Sequence, residues 1–211
     1  MGTFGSLFCV SLVAYPLSRP DFKYRTIVSF LVFFTMLFSG GMIASYIWMT
    51  RYLNLKDSIF ALILPPMVAP WFVFLMRSYF STLPREFIEA AKIDGASEWQ
   101  ILFRIILPLS TPALATVGLF CILNYWNDWY LPMLYIRNTE LYPLQYLLYT
   151  IMKNAEFVTS REITAAVGLI QAPLLTIRMA MVIVAMGPIT IVFMFLQRFF
   201  VRGITMGGIK E

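Results

Sequence analysis

Residues 84–108 read PREFIEAAKIDGASEWQILFRIILP and carry the start and stop signals of two short helices. Pro84 suits the first turn of a helix, where the missing proline N–H costs no hydrogen bond. Gly95 suits the left-handed residue just past a helix end. Ser97 followed by Gln100 matches a capping box, which predicts that a second helix begins at Ser97 and runs toward Pro108. The stretch therefore predicts a helix, a sharp turn and another helix.

The first of these two helices is expected to have two different faces. Phe87, Ala90 and Ala91 would share one face, as in a short helix that lies on another surface. The solvated positions would be Arg85, Glu86, Glu89 and Lys92. An ordinary surface hairpin fits the same pattern equally well, so periodicity alone leaves open whether this face has a partner.

Outside this stretch the chain is mostly apolar. Of its 211 residues 60% are hydrophobic and 13% are charged, whereas a soluble domain usually has about 25% charged residues. Five apolar segments can be marked, at residues 4–17, 27–48, 59–76, 109–136 and 179–196. A run of about 18 apolar residues crosses a bilayer core of roughly 30 Å as a helix, and only the first segment is too short to span comfortably. The sequence thus predicts an all-α membrane protein, a bundle of about five transmembrane helices.

Several of the apolar segments contain prolines, and the first segment is short. In lipid every backbone polar group must be paired internally, so we expect helices that bend at Pro65, Pro66, Pro70 and Pro188. Segment 4–17 has the length of a signal peptide but no basic region before it. We therefore interpret it as part of a membrane helix.

The basic residues predict the orientation, because short cytoplasmic loops collect Lys and Arg. Ten of the sixteen lie on one side of the predicted spans: Arg19, Lys23, Arg25, Arg77, Arg85, Lys92, Arg104, Arg198, Arg202 and Lys210. The other six are Arg51, Lys56, Arg137, Lys153, Arg161 and Arg178. The first group is predicted to be cytoplasmic, which puts the C-terminus inside and the N-terminus outside. A six-helix parent that lacks its first helix here would explain this arrangement.

Several classes of function lack their residues in this sequence. There is no histidine, and Cys9 and Cys121 lie in separate apolar segments, which excludes a Cys/His zinc site or a Cys–His nucleophile. A phosphate-binding loop needs a Gly-Lys pair that the chain does not contain. The net charge of +5 is spread between apolar segments rather than in one patch, which argues against nucleic acid. Ion-driven transporters usually carry ionisable residues inside their spans, and only Asp128 comes near.

The hairpin stretch also resembles the EAA loop in the permease subunits of ATP-binding-cassette (ABC) importers. The residues that carry the match are Glu89, Ala90, Ala91, Asp94, Gly95, Ile105, Leu107 and Pro108. In that family the loop forms a cytoplasmic coupling helix that docks in a groove of the ATP-binding subunit. The resemblance implies that Glu89 and Gly95 are key positions of such a coupling loop at residues 81–108.

Other stretches narrow the resemblance to carbohydrate permeases of the maltose-importer type. They are VAYPLSRP at 13–20, WNDW at 126–129 and QRFFVRG at 197–203, while TMLFSGG at 35–41 is similar to the oligosaccharide and polysaccharide branch. This implies a single permease domain, residues 1–211, that moves sugars across the bacterial cytoplasmic membrane by alternating access. A permease of the same superfamily for an amino acid or a phosphonate is the alternative.

The resemblance also implies a set of partners and no catalysis by this chain. We expect a dimer of ATP-binding subunits that holds ATP and Mg²⁺, a second permease subunit, a sugar substrate, membrane lipid and an extracytoplasmic solute-binding protein. The solute-binding protein would meet segment 137–177, which we interpret as an interfacial helix plus a loop. We expect no cofactor or metal on this chain.

A cluster of amide and aromatic residues is the candidate for the substrate pathway. Asn124, Trp126, Asn127 and Trp129 would lie on one helix that lines the pathway, because an unpaired amide that faces lipid is costly. The alternative is that Trp126, Trp129 and Tyr130 form an aromatic belt at the outer membrane interface.

Overall fold

A computed structural model describes residues 1–159 and 174–207, and all regular elements in these ranges are helical. The helices are α1 (Gly2–Ser18), α2 (Arg25–Leu37), α3 (Gly41–Tyr52), α4 (Phe60–Ile63), α5 (Pro70–Thr82), α6 (Glu86–Ile93), α7 (Glu98–Leu109), α8 (Thr111–Trp126), α9 (Tyr130–Tyr135), α10 (Leu144–Thr159) and α11 (Leu174–Gly207). A short 3₁₀ turn, Thr139–Leu141, precedes α10. Helix α3 ends in a π-helical turn, Trp48–Tyr52, and α7 contains another, Leu102–Ile106. The predicted helical fold class is confirmed for the described residues.

The chain forms two compact units. The first is built mainly from Met1–Ser45 and Ile63–Tyr125, and the second from Tyr46–Leu62 and Trp126–Phe195. The hairpin of α6 and α7 lies in the first unit. Residues 137–159 and 174–177 of the segment predicted to be extracytoplasmic lie in the second, and residues 160–173 are outside the described ranges.

The core of the first unit forms where α1 packs against α5. Val10 and Ala14 of α1 and Val73 and Met76 of α5 are fully buried. The small Ala14 side chain lets the two helices approach closely, as in many membrane bundles. The same core includes residues of the hairpin, so the hairpin is packed onto the apolar helices of its own unit.

In the second unit, residues 53–58 contact the end of α9 and the segment that follows it. The Asp57 carboxylate accepts backbone N–H bonds from Arg137 and Asn138, and the Asp57 N–H donates to the Tyr135 carbonyl at 3.0 Å. The two backbone donors lower the pKa of Asp57 below its ordinary value. Tyr135 is buried and stacks on Tyr46 with ring centroids 5.9 Å apart. These contacts give the second unit its own small core.

The length and composition of the described helices support fewer continuous spans than five. One helix, Leu174–Phe195, is long and apolar enough to cross a membrane, and the count rises to three if each of two bent pairs is a single span. The bent pairs are α2 with α3, at 111°, and α7 with α8, at 83°. Helix α1 is apolar but shorter, with 17 residues.

Glycine and proline account for the interruptions. Predicted span 27–48 is divided before Gly41, whose φ of +80° suits a residue without a Cβ. Predicted span 59–76 is helical only over Phe60–Ile63 and from Pro70 onward, because Pro65 and Pro66 cannot donate backbone hydrogen bonds. Pro65 and Pro66 were expected to bend a helix and instead follow the end of α4, and Pro70 begins α5. Helix α11, in contrast, continues through Pro188.

Candidate functional site

The turn of the hairpin is a Schellman motif at the end of α6. The Ala96 N–H donates to the Ala91 carbonyl at 2.9 Å, and the Gly95 N–H donates to the Lys92 carbonyl at 3.1 Å. This pair of bonds requires a left-handed residue after the helix end, and Gly95 has a φ of +77°. The predicted left-handed conformation of Gly95 at the helix end is confirmed.

A capping box opens the second arm, as predicted. The Gln100 N–H donates to the Ser97 hydroxyl at 3.4 Å, and the Ser97 N–H donates to the Gln100 side-chain oxygen at 2.8 Å. The first arm begins slightly later than predicted, since α6 starts at Glu86 with Arg85 as its N-cap and Pro84 lies before the helix. Both ends of the turn are therefore fixed by local backbone bonds.

The inner face of α6 is packed against its own unit. Ile88 and Ala91 are buried together with Ile101 of α7, and all three join the core formed by α1 and α5. The prediction that Phe87, Ala90 and Ala91 share one face is therefore wrong for Ala91. Ala91 points into the core, because a buried i, i+3 pair with Ile88 places it there, whereas Phe87 and Ala90 remain exposed.

The outer face of α6, defined here as Glu86, Phe87, Ala90, Ile93 and Asp94, is exposed. Phe87 is 50% exposed and Ile93 is 86% exposed. Apolar side chains beside carboxylates on a short, firmly held helix are typical of a protein-binding surface. Glu89 is also exposed, next to this face. Sequence reasoning missed Ile93, although an apolar residue in the last turn before Asp94 and Gly95 was a visible signal.

The last three residues of the EAA-loop resemblance are Ile105, Leu107 and Pro108, which lie near the end of α7. Ile105 and Leu107 are half-buried against the core of the first unit, and Pro108 is exposed. Pro108 has no N–H and cannot donate to the hydrogen-bond ladder of α7, whose π-turn ends two residues before it. The chain then turns by 83° into α8.

A polar contact joins the two arms of the hairpin to α1. The Tyr15 hydroxyl donates to Glu98 Oε2 at 2.5 Å, and Lys92 Nζ pairs with Glu98 Oε1 at 2.9 Å. The bond from Tyr15 lowers the pKa of the Glu98 carboxyl below its ordinary value, and the Lys92 ammonium acts in the same direction. Tyr15 and Glu98 lie 83 positions apart, so sequence reasoning had no local signal for this contact.

The candidate pathway residues do not lie on one helix. Helix α8 ends at Trp126, Asn127 follows its end, and Trp129 is the N-cap of α9. The Asp128 carboxylate explains this break, because it accepts the N–H groups of Tyr130 and Leu131 and so starts a new helix. The expectation of a single helix is wrong for this reason.

The four side chains differ in their surroundings. Asn124, Asn127 and Trp129 are exposed, and Trp126 is half-buried. The Trp126 indole N–H donates to the Ala185 carbonyl at 3.0 Å, and Trp129 stacks on Tyr149 with centroids 4.8 Å apart. The two amides are therefore the members of this group most available to a ligand.

The first unit also contains a cavity of about 460 Å³ between the end of α1 and the hairpin. Its wall includes Tyr15, Arg19, Phe22, Glu98 and Trp99. Within residues 1–159 and 174–207, no group of three His, Cys, Asp or Glu side chains is arranged to hold a metal ion.

Replacement of Gly95 by valine should destabilise the hairpin. A Cβ at this position meets no atom within 4 Å, so the cost is backbone strain of roughly 1–2 kcal/mol or more for a β-branched residue. Gly95→Asn is the matched control, because asparagine tolerates the left-handed region. The protection of the amides of residues 95 and 96 against hydrogen exchange should fall in Gly95→Val and stay near the wild-type level in Gly95→Asn. Equal exchange in both variants would contradict the strain argument.

Comparison with known proteins agrees with the EAA-loop resemblance. The family described as binding-protein-dependent transport system inner membrane component matches residues 8–206. The polygalacturonan/rhamnogalacturonan transport system permease protein YtcP of Bacillus subtilis is 39% identical over 210 residues, which cover 100% of this chain and 73% of YtcP. The arabinooligosaccharides transport system permease protein AraQ of Halalkalibacterium halodurans is 35% identical over 207 residues, 97% of this chain and 68% of AraQ.

A solved structure is similar over most of the chain. The crystal structure of a bacterial ABC transporter involved in the import of the acidic polysaccharide alginate contains a chain that matches with a TM-score of 0.77 and 31% identity. The match covers 94% of this chain and 70% of that chain. The predicted family is confirmed by the matched residues 8–206, and the chain belongs to the inner membrane components of binding-protein-dependent transport systems.

Proposed function

We propose that this permease component imports oligosaccharides or polysaccharide fragments by alternating access. Its relatives include permease proteins for polygalacturonan/rhamnogalacturonan and for arabinooligosaccharides. The similar solved structure belongs to a transporter for alginate. All three names refer to carbohydrate polymers or their fragments, which supports this substrate class for the present chain.

The hairpin is the coupling element in this proposal. Its inner face shares one core with α1 and α5, while its outer face is exposed and combines apolar and acidic side chains. An ATP-binding subunit that binds the outer face would move the hairpin, which is a rigid element already packed onto the apolar helices. Chains of packed side chains and rigid secondary elements of this kind can carry coupling between distant sites. This two-faced packing is the observation that carries the proposal.

The remaining parts of the assembly follow from the same scheme. Two ATP-binding subunits hold ATP and Mg²⁺, a second permease subunit completes the pathway, and a solute-binding protein meets segment 137–177 on the outer side. The hairpin and the C-terminus lie on the cytoplasmic side. Residues 1–211 act as one permease domain, in which α11, the bent pair of α2 and α3, α8, α1 and the segment around α5 supply about five spans.

Asn124, Asn127 and Trp129 are the proposed sugar contacts. The two amides are exposed in this chain, and an amide that faces hydrocarbon would lose its hydrogen bonds at a cost of several kcal/mol. A water-filled pathway satisfies these groups and offers donors and acceptors to sugar hydroxyls. Trp126, whose N–H is already bound to Ala185, supports the arrangement.

The substrate class can be tested with the complete transporter in proteoliposomes. We expect ATP-dependent uptake of labelled oligogalacturonides or arabinooligosaccharides when the solute-binding protein is added. Labelled amino acids and phosphonates serve as competing substrates. Uptake of one of these without any oligosaccharide uptake would contradict the proposal.

Charge reversal at Glu89 should reduce coupling. Glu89→Lys puts a cation beside the acidic outer face, and we expect oligosaccharide uptake to fall at least tenfold while the protein remains in the membrane. Lys23→Glu, a reversal at an exposed residue outside the hairpin, is the control and should keep near wild-type uptake. Unchanged uptake in Glu89→Lys would refute the coupling role of this helix.

The orientation can be tested by labelling single cysteines. Ile93 is 86% exposed on the hairpin and Glu140 is exposed in the predicted outer segment. In a chain with Cys9→Ser and Cys121→Ala, a membrane-impermeant maleimide added to intact cells should label Glu140→Cys and not Ile93→Cys. Ile93→Cys should react only in inside-out vesicles from cells that lack the ATP-binding subunit, which would otherwise cover this face. The reverse pattern would refute the cytoplasmic hairpin.

A further inference from the structure

The Glu98 carboxylate is shared between three helices of the first unit. Glu98 is the first residue of α7, Lys92 lies in the last turn of α6, and Tyr15 lies near the end of α1. Each carboxylate oxygen has its own partner, Tyr15 for Oε2 and Lys92 for Oε1. One side chain therefore links both arms of the hairpin to a helix that precedes them by more than 60 residues.

We propose that Tyr15, Lys92 and Glu98 form a latch that holds the coupling hairpin to α1, so that movement of the hairpin is passed directly into that helix. The three are positioning residues, and their role rests on the proposed function of the hairpin. Through the latch, α1 moves directly with the hairpin, as do the helices adjacent to the hairpin in sequence.

The packing around Tyr15 supports a connection that is firm at α1. Tyr15 as a whole residue is 7% exposed and belongs to the core that includes Val10, Ala14 and Leu17. Near the helix end, the Ser18 hydroxyl donates to the Tyr15 carbonyl at 2.7 Å. A buried ring has few alternative positions, so the hydroxyl is held where Glu98 accepts its hydrogen bond.

The cavity explains why a polar contact matters on this side of the hairpin. Ile88, Ala91 and Ile101 pack tightly in the core, but the cavity of about 460 Å³ lies between the hairpin and residues of α1 and the segment after it. Tyr15, Lys92 and Glu98 all line this cavity. Where side chains do not fill the space, dispersion contacts are missing, and the charge-assisted bonds of the latch provide the connection.

Removal of one hydroxyl tests the latch with little effect on packing. In the complete transporter, Tyr15→Phe keeps the ring and loses the bond to Glu98. We expect the amount of ATP hydrolysed per oligosaccharide imported to rise at least threefold, with an unchanged melting temperature of the complex. Tyr79→Phe is the matched control, because Tyr79 is partly buried against the same core and no hydrogen bond of its hydroxyl is found within the described residues.

A second variant distinguishes loss of the latch from a folding defect in Tyr15→Phe. The Glu98 side chain is 55% exposed, so Glu98→Gln should fold normally and raise the same ratio. If the three residues act as one unit, the double variant should be no worse than the more affected single one. If the effects of Tyr15→Phe and Glu98→Gln on this ratio add fully in the double variant, the proposed latch is overturned.

The outcomes separate the latch from the function on which it rests. A wild-type transporter without ATP-dependent oligosaccharide uptake contradicts the proposed function itself. Normal uptake in the wild type, combined with an unchanged ratio in both Tyr15→Phe and Glu98→Gln, overturns the latch alone. An equal increase in Tyr79→Phe would also overturn it, because the effect would then come from general loosening of the core.

Discussion

The burial of Ile88, Ala91 and Ile101 among the side chains of α1 and α5 is the constraint on which the functional site depends. Apolar side chains from both arms of the hairpin are removed from water there. Burial of a large one, such as Ile88 or Ile101, contributes on the order of 1.5–3 kcal/mol. Without this anchorage the hairpin would keep its local turn but would have no fixed position on the apolar helices. With it, the outer face is presented on a rigid support that continues into the apolar helices.

The hairpin is also rigid by itself, which separates its shape from its attachment. Its turn is closed by the Schellman bonds around Gly95 and by the reciprocal bonds of Ser97 and Gln100. These contacts are local and would form in the same way on another support. The attachment to the unit, by contrast, depends on side chains from distant parts of the chain, including Tyr15.

The apolar helices show how much of a membrane fold depends on neighbours. Breaks before Gly41 and at Pro65 and Pro66 leave backbone groups that lipid cannot satisfy. Interrupted helices at membrane depth are tolerated where protein or a water-filled cavity surrounds them. The broken pairs therefore fit a permease that functions beside further subunits, as the proposed second permease chain would require.

The sequence by itself determined the helical class, the family and the local geometry of the hairpin. Composition excludes an ordinary soluble core, and Gly95, Ser97 and Gln100 act through backbone bonds to residues within five positions, which sequence spacing specifies directly. The tertiary structure decided the rest. Ala91 faces inward while Ala90 does not, because the core of α1 and α5 selects one face of a helix whose pattern allowed another. Predicted spans 27–48, 59–76 and 109–136 are interrupted, since a hydropathy pattern records affinity for lipid but not the direction of the backbone at glycine, proline or Asp128. The contact of Tyr15 with Glu98 joins residues 83 positions apart, and only the folded chain brings such residues together.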